Sequence, residues 1–259
     1  MRFFSEPIRD LMAAMEAQVV RVRHPARALV IVLLAGIASW WVYVPVHELL
    51  HALGCYVTGG SVTELQIAPE YGGALFARFL PFVVGNSEYA GRLSGFDTRG
   101  SDLIYLATDA LPFLLTVFIG VPLLKACGRG RRPGLLGVAF VLGLAPFYCL
   151  TGDYYEMGSI LTTRAVTWLS GSETLRFGAF RSDDVVKLVT DLWAQPANFQ
   201  VEGAGSAVVA GLVVVGGLAC GVLLAFATYA AGARLARAWY ARAERMLGAA
   251  KPPASGSSR

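Results

Sequence analysis

The chain has 259 residues, 55% of them hydrophobic and only 15% charged, and its mean hydropathy is +0.54. A soluble globular protein carries about a quarter charged residues, so a mostly wet surface is excluded, and disorder and collagen-like structure with it. The net charge of +4 does not point to nucleic acid, because the basic residues cluster beside apolar stretches, the pattern that sets orientation in a membrane. The expected class is an all-α integral membrane protein with the lipid bilayer as its main partner.

Residues 1–27 are polar and basic, with an amphipathic pattern around Ile8–Val20. A first apolar span starts at Ala28 and runs through Val46, long enough to cross a bilayer. Pro45 is expected to kink it near its end, and the apolar pattern resumes up to Gly59-Gly60. In 61–100, Thr63, Leu65 and Ile67 alternate with polar neighbours and Ala74–Val84 is an apolar run broken by Arg78 and Pro81. This predicts short strands or a hairpin at the membrane surface. A second span covers Leu103–Leu124 with Pro112 inside it, and a third covers Pro133–Leu150. Residues 155–170 are expected to form a helix dipping into the membrane or lying on it. Ser182 is expected to cap an extramembrane amphipathic helix with an apolar face of Val185, Leu188, Val189, Leu192 and Trp193. Gly205–Ala231 is the fourth span, in which Gly217-x-x-x-Gly221 marks a helix-packing face.

The fold class is thus about four transmembrane helices with a short membrane-surface β hairpin and an extramembrane amphipathic helix. The chain divides into a basic N-terminal segment 1–27, an embedded core 28–170, an extramembrane segment 171–203, a final span with basic extension 204–248, and a tail 249–259 expected to be disordered. Of the 22 Lys and Arg, 15 fall in the N-terminal segment, the 125–132 connector and the C-terminal region. Four spans with both termini cytoplasmic fit that asymmetry, and they bring the ends of the first and third spans to one side. The protein is expected to be multi-pass, in the cell membrane if the source is bacterial.

The chemistry is concentrated in His47-Glu48-Leu49-Leu50-His51. On a helix, residues four apart share a face, so both imidazoles can bind one metal ion. Glu48 stands beside them as a proton acceptor for a metal-bound water, whose pKa zinc lowers to about 7. A metzincin would need a third histidine where Val57 stands, so that class is excluded. His24, before Pro25, reads as a solvated interfacial histidine. Cys55, one turn beyond His51, is within reach of a metal but reads rather as a buried apolar cysteine. The third ligand must be a carboxylate or thiolate from elsewhere. Asp153 lies at the end of the third span and Glu156 three residues on, and both carboxylates are candidates. Asp109 reads as a substrate-channel or hydrogen-bonding group. The four cysteines, Cys55, Cys127, Cys149 and Cys220, are scattered and imply no disulfide framework.

With these residues the chain resembles the site-2 protease family of intramembrane zinc metallopeptidases. The resemblance rests on His47-Glu48-Leu49-Leu50-His51-Ala52-Leu53-Gly54 at the end of an apolar helix and on the strand-like stretch after Gly59-Gly60. It extends to the proline-containing span around Ala110-Leu111-Pro112 and the acidic segment after Pro146, covering about 30–165. It implies a Zn2+ cofactor held by His47, His51 and Asp153, with Glu48 as catalytic base. Aligning Glu156-Met157-Gly158 with the family's Asp-Gly-Gly would make Glu156 the ligand instead. The family's Ala-Gly-Pro is Ala-Leu-Pro here, and its site commonly faces the cytoplasm, whereas the charge count here points it outward.

The implied activity is hydrolysis of peptide bonds in or near transmembrane segments, with a membrane-protein substrate that has a transmembrane helix. Such a helix must unwind locally, and the segment 61–84 is expected to offer a strand edge to it. The alternative is a non-catalytic membrane metalloprotein acting as a binding or assembly factor. Three histidines are too few for a membrane di-iron oxygenase.

Overall fold

The structure is a computed structural model that describes residues 2–170, 180–182, 184–195 and 206–249. The tail beyond Ala249 and much of the 171–203 segment lie outside these residues. Helix α1 spans Arg2–Met15 and ends in a π-helical turn, Glu16–Val20. Helix α2 spans Pro25–Val57 and continues through Pro45, so the first apolar run and the histidine motif share one helix. Proline at its N-terminal position costs nothing there, since that N–H has no helical acceptor. Its first half exposes Leu33, Leu34, Ile37, Trp41 and Val42, a contiguous apolar face that water penalises and hydrocarbon does not.

Between α2 and the next long helix come β1 (Ser61–Ile67), α3 (Gly73–Phe76), β2 (Val83–Val84) and β3 (Gly91–Asp97). They make a three-stranded sheet in the order β2-β1-β3, β1 lying parallel to β2 and antiparallel to β3. The expected hairpin is therefore corrected: the antiparallel partner of β1 arrives only after the intervening α3 and β2. The expected alternation is corrected too. The β1–β3 register is irregular between Val62 and Leu65, so Val62, Leu65 and Ile67 are buried and Thr63 is exposed. An extra residue in one strand turns the side chains that follow to the other face.

The second long stretch starts at α4 (Asp102–Ala110), capped by the Ser101 hydroxyl, which accepts from the Ile104 N–H at 3.4 Å. It passes a 3-10 turn at Leu111–Phe113 and a π-helical turn at Thr116–Gly120 before α5 (Val121–Cys127). Helix α6 (Pro133–Tyr148) and α7 (Asp153–Ser170) follow, separated by a turn at 149–152. Helix α7 packs along α4 and α9 rather than folding back on α6, so the expected separate dipping helix is the continuation of the third apolar stretch. Helix α8 covers Val185–Ala194 and α9 covers Ser206–Ala249. Among the described residues, four stretches are long and apolar enough to cross a membrane: Pro25–Val57, Asp102–Cys127, Pro133–Leu169 and Gly211–Met246.

Two details of α8 differ from expectation. Its N-cap is Asp184, whose carboxylate accepts from the Lys187 N–H at 3.0 Å, while the Ser182 hydroxyl accepts from the Asp184 N–H. Val185, Leu188 and Leu192 pack with Tyr155, Phe180 and Val213, whereas Val189 and Trp193 are exposed. The Gly217–Gly221 face does pack a helix. A Cβ on Gly158 of α7 would collide with the Gly217 carbonyl and the Gly221 N–H, so only glycine lets these two backbones approach so closely.

The basic segments gather at one end of the molecule. Gln18 is buried and donates to the Cys127 carbonyl at 2.5 Å and to the Gly130 carbonyl, while accepting from the Arg132 N–H. Lys125 lies 2.9 Å from Glu6 and 2.6 Å from Asp10; Arg237 also pairs with Glu6, and the Tyr229 hydroxyl donates to Asp10 at 2.8 Å. Burial alone would raise the Glu6 pKa, but the bonds and charges of Lys125 and Arg237 outweigh it and hold the carboxyl below its usual 4.5.

Candidate metal centre

At the other end, His47 and His51 face one way from α2 because they are one turn apart, and their rings meet edge to face with centroids 4.6 Å apart. The Nε2 atoms are 3.0 Å apart. Asp153, the first residue of α7, brings Oδ2 to 3.1 Å from His47 Nε2 and Oδ1 to 3.7 Å from His51 Nε2. A carboxylate is favoured at a helix N-terminus, where unpaired N–H groups point outward. Both histidines are buried, and the Asp153 side chain is 19% exposed.

The ring orientations follow from the sequence. Proline 112 has no N–H, so the Thr108 carbonyl four residues earlier has no α-helical partner. That carbonyl lies 2.9 Å from His51 Nδ1. A carbonyl only accepts, so Nδ1 carries a proton and Nε2 is the nitrogen turned toward the centre. Close packing makes the contact: a Cβ on Gly54 would lie 2.6 Å from the Ala107 carbonyl. The Tyr43 hydroxyl, one turn before His47, lies 2.8 Å from its Nδ1. Phe113, presented by the 3-10 turn, stacks edge-on against His47 at 5.5 Å.

The donor set fits zinc. Ligand atoms at about 2.0–2.1 Å from a tetrahedral zinc lie about 3.3 Å from one another. The observed separations of 3.0, 3.1 and 3.7 Å bracket that value. Electron-pair donors this close repel unless a cation or a shared proton lies among them. Two imidazoles and a carboxylate leave one position of a tetrahedron for water or substrate, the composition of a catalytic site.

Glu48 offers a carboxylate oxygen within 4.8 Å of ligand atoms of His47 and His51. The chain approaches it from the sheet, since a Cβ on Gly91 would collide with the Glu48 Cγ; glycine at the start of β3 leaves room for that side chain. Glu48, Asp153 and Gly91 all line two cavities. One, of about 180 Å3, is also bounded by His51, Arg92, Asp109 and Glu156. The other, of about 330 Å3, is bounded by Trp40, Tyr43, His47, Tyr148 and Cys149.

The structure thus brings together His47, Glu48, His51 and Asp153. Glu156 accepts from the Tyr105 hydroxyl and lines the smaller cavity with the buried Asp109. His47, Glu48 and His51, and likewise His47, Cys149 and Asp153, offer ligand atoms within 4.8 Å of one another, and Glu156 is in neither group. His24 is exposed at the start of α2. Cys55 is buried, its thiol 3.5 Å from the Ser61 carbonyl. Sequence reasoning passed over Tyr43, Thr108, Gly91 and Cys149. Tyr43 and Cys149 stand four residues before a ligand candidate, and Thr108 four before a proline, which are readable signals; Gly91 has none. The chain matches no protein-family model, no curated protein and no solved structure.

Proposed function

We propose that this protein is a membrane-embedded zinc endopeptidase that hydrolyses peptide bonds in or near transmembrane segments of other membrane proteins. The observation that carries this reading is the convergence of His47 Nε2, His51 Nε2 and the Asp153 carboxylate at 3.0–3.7 Å, with Glu48 beside them on the wall of both cavities. The four apolar helical stretches support integral membrane placement. The clustering of basic segments at the opposite end supports a site opening on the non-cytoplasmic side.

Zinc bound at these residues supplies Lewis acidity toward a scissile carbonyl and an attacking water. His47, His51 and Asp153 hold it, and Tyr43 and the Thr108 carbonyl keep the two rings aimed. Glu48 accepts the water's proton at a carboxylate oxygen and returns it to the leaving amide nitrogen. Phe113 walls off the His47 side from water. The strand edge that serves the substrate is reassigned: β1 lies between its two neighbours, so the edge beside the site belongs to β3, whose Gly91, Arg92, Leu93 and Phe96 line the smaller cavity. An unwound substrate segment pairs with that edge by main-chain hydrogen bonds.

The test is cleavage of a transmembrane-helix peptide by the purified full chain in liposomes. Wild type cleaves, and Glu48→Gln keeps zinc without cleaving. Zinc-dependent function that survives Glu48→Gln would favour the non-catalytic binding or assembly role instead. Proline substitutions along 92–96 that leave cleavage intact would remove β3 from substrate binding.

A further inference from the structure

We infer that Cys149 is a fourth protein donor to the same metal, closing the resting site until substrate displaces it. This rests on the metal reading above and goes beyond it, because two histidines and an aspartate alone leave the site open. The thiol, His47 and Asp153 offer ligand atoms that all lie within 4.8 Å of one another. A zinc–thiolate bond of about 2.3 Å, against about 2.0 Å for nitrogen or oxygen, sets a wider sulfur–nitrogen separation of about 3.5 Å, so the thiol completes the tetrahedron by moving in toward the His47–His51 pair.

The chain places Cys149 there by local geometry. It is the C-cap of α6, with φ −87° and ψ 13°, just outside the helix and three residues after Pro146. Its own N–H bonds the Ala145 carbonyl at 3.0 Å, and its carbonyl accepts from the N–H groups of Gly152 and Tyr154, both at 3.2 Å. That tight turn returns the chain so that Cys149 and Asp153, four residues apart, face the same centre as the His47–His51 pair. The turn also makes this donor the one most easily withdrawn, since the other three sit on the long helices α2 and α7. Cys149 lines the larger cavity beside His47 and Asp153, so a peptide entering from that side meets the thiol together with the other ligands. Coordination releases the thiol proton to solvent as the metal–sulfur bond forms, and displacement by substrate reverses this. Four protein ligands define a closed zinc site and three an open one, so the thiol sets whether water has access.

The test is zinc X-ray absorption fine structure on the zinc-loaded full chain in detergent, with zinc content measured on the same samples. The expected wild-type spectrum holds one sulfur scatterer at about 2.3 Å beside nitrogen and oxygen at about 2.0 Å, and Cys149→Ser loses the sulfur while keeping its zinc. Wild-type zinc surrounded by nitrogen and oxygen alone overturns the inference and leaves the metal reading standing. A sulfur that persists in Cys149→Ser also overturns it, and a wild type that binds no zinc overturns both. A wild-type spectrum without sulfur overturns the inference whether or not the serine variant folds.

Discussion

The two ends of this molecule both bury charge, and they do it in opposite ways. At the basic end, Glu6 and Asp10 meet Lys125 and Arg237 directly, acids and bases are matched, and Tyr229 donates the remaining hydrogen bond. At the other end, imidazole nitrogens and carboxylate oxygens face one another, with the His51 ring held by the Thr108 carbonyl so that its Nε2 points inward. A matched cluster needs nothing from outside and serves to fasten α1 to α5 and α9. A convergence of donors is complete only with a cation. The lesson is that the balance of donors and charges, rather than burial itself, separates a fastening from a site.

That contrast predicts which measurement each end will move. The largest effect is on chemistry: Glu48→Gln should lower peptide cleavage by about 10²–10⁴-fold, the share of a positioned proton acceptor, with zinc content and unfolding temperature unchanged. Tyr43→Phe removes the partner of His47 Nδ1 and should weaken zinc binding by about ten- to hundredfold, read by competition with a fluorescent chelator. Lys125→Met, at the other end, leaves two acids facing each other and should cost about 2 kcal/mol, less than the roughly 3–5 of a fully buried pair. Zinc content should not move. If Lys125→Met strips the metal or Tyr43→Phe mainly lowers stability, the division between the two ends fails.

The smallest effect is a pH dependence. The Glu6 pKa is depressed in the folded state, so its contribution is fully present above its ordinary value of 4.5 and is lost as pH falls through the lower folded value. Thermal unfolding followed below that pH should show wild type approaching Glu6→Gln, with the difference largest near neutrality. A difference that grows on acidification would contradict the assigned pairing.

Much of the site was legible because its parts are local. His47 and His51 lie one turn apart on an apolar helix, and a proline at 112 frees a carbonyl four residues back. These are consequences of helical repeat and of a missing N–H, and they can be read from spacing alone. The four apolar stretches were legible for the same reason, as was the Gly217–Gly221 contact. The sheet was not. Strand β3 pairs with β1 across 23 intervening residues, and nothing in 61–84 announces that the open edge belongs to 91–97. The irregular register at Val62–Leu65 likewise defeats a reading by strict alternation. On α8, Val189 and Trp193 continue the apolar periodicity yet are exposed, since hydrophobicity marks what can be covered and not what covers it. That Asp153 and not Glu156 lies against the histidines followed from the turn at 149–152, which puts Asp153 at the start of α7.

The most direct measurement is metal content by mass spectrometry of the purified chain after dialysis, comparing wild type with Asp153→Ala and Glu156→Ala. The account predicts one zinc per chain in wild type and in Glu156→Ala, and a content well below that in Asp153→Ala, where the two histidines and Cys149 remain. Zinc in Asp153→Ala equal to wild type, or a wild type that never takes it up, would contradict it.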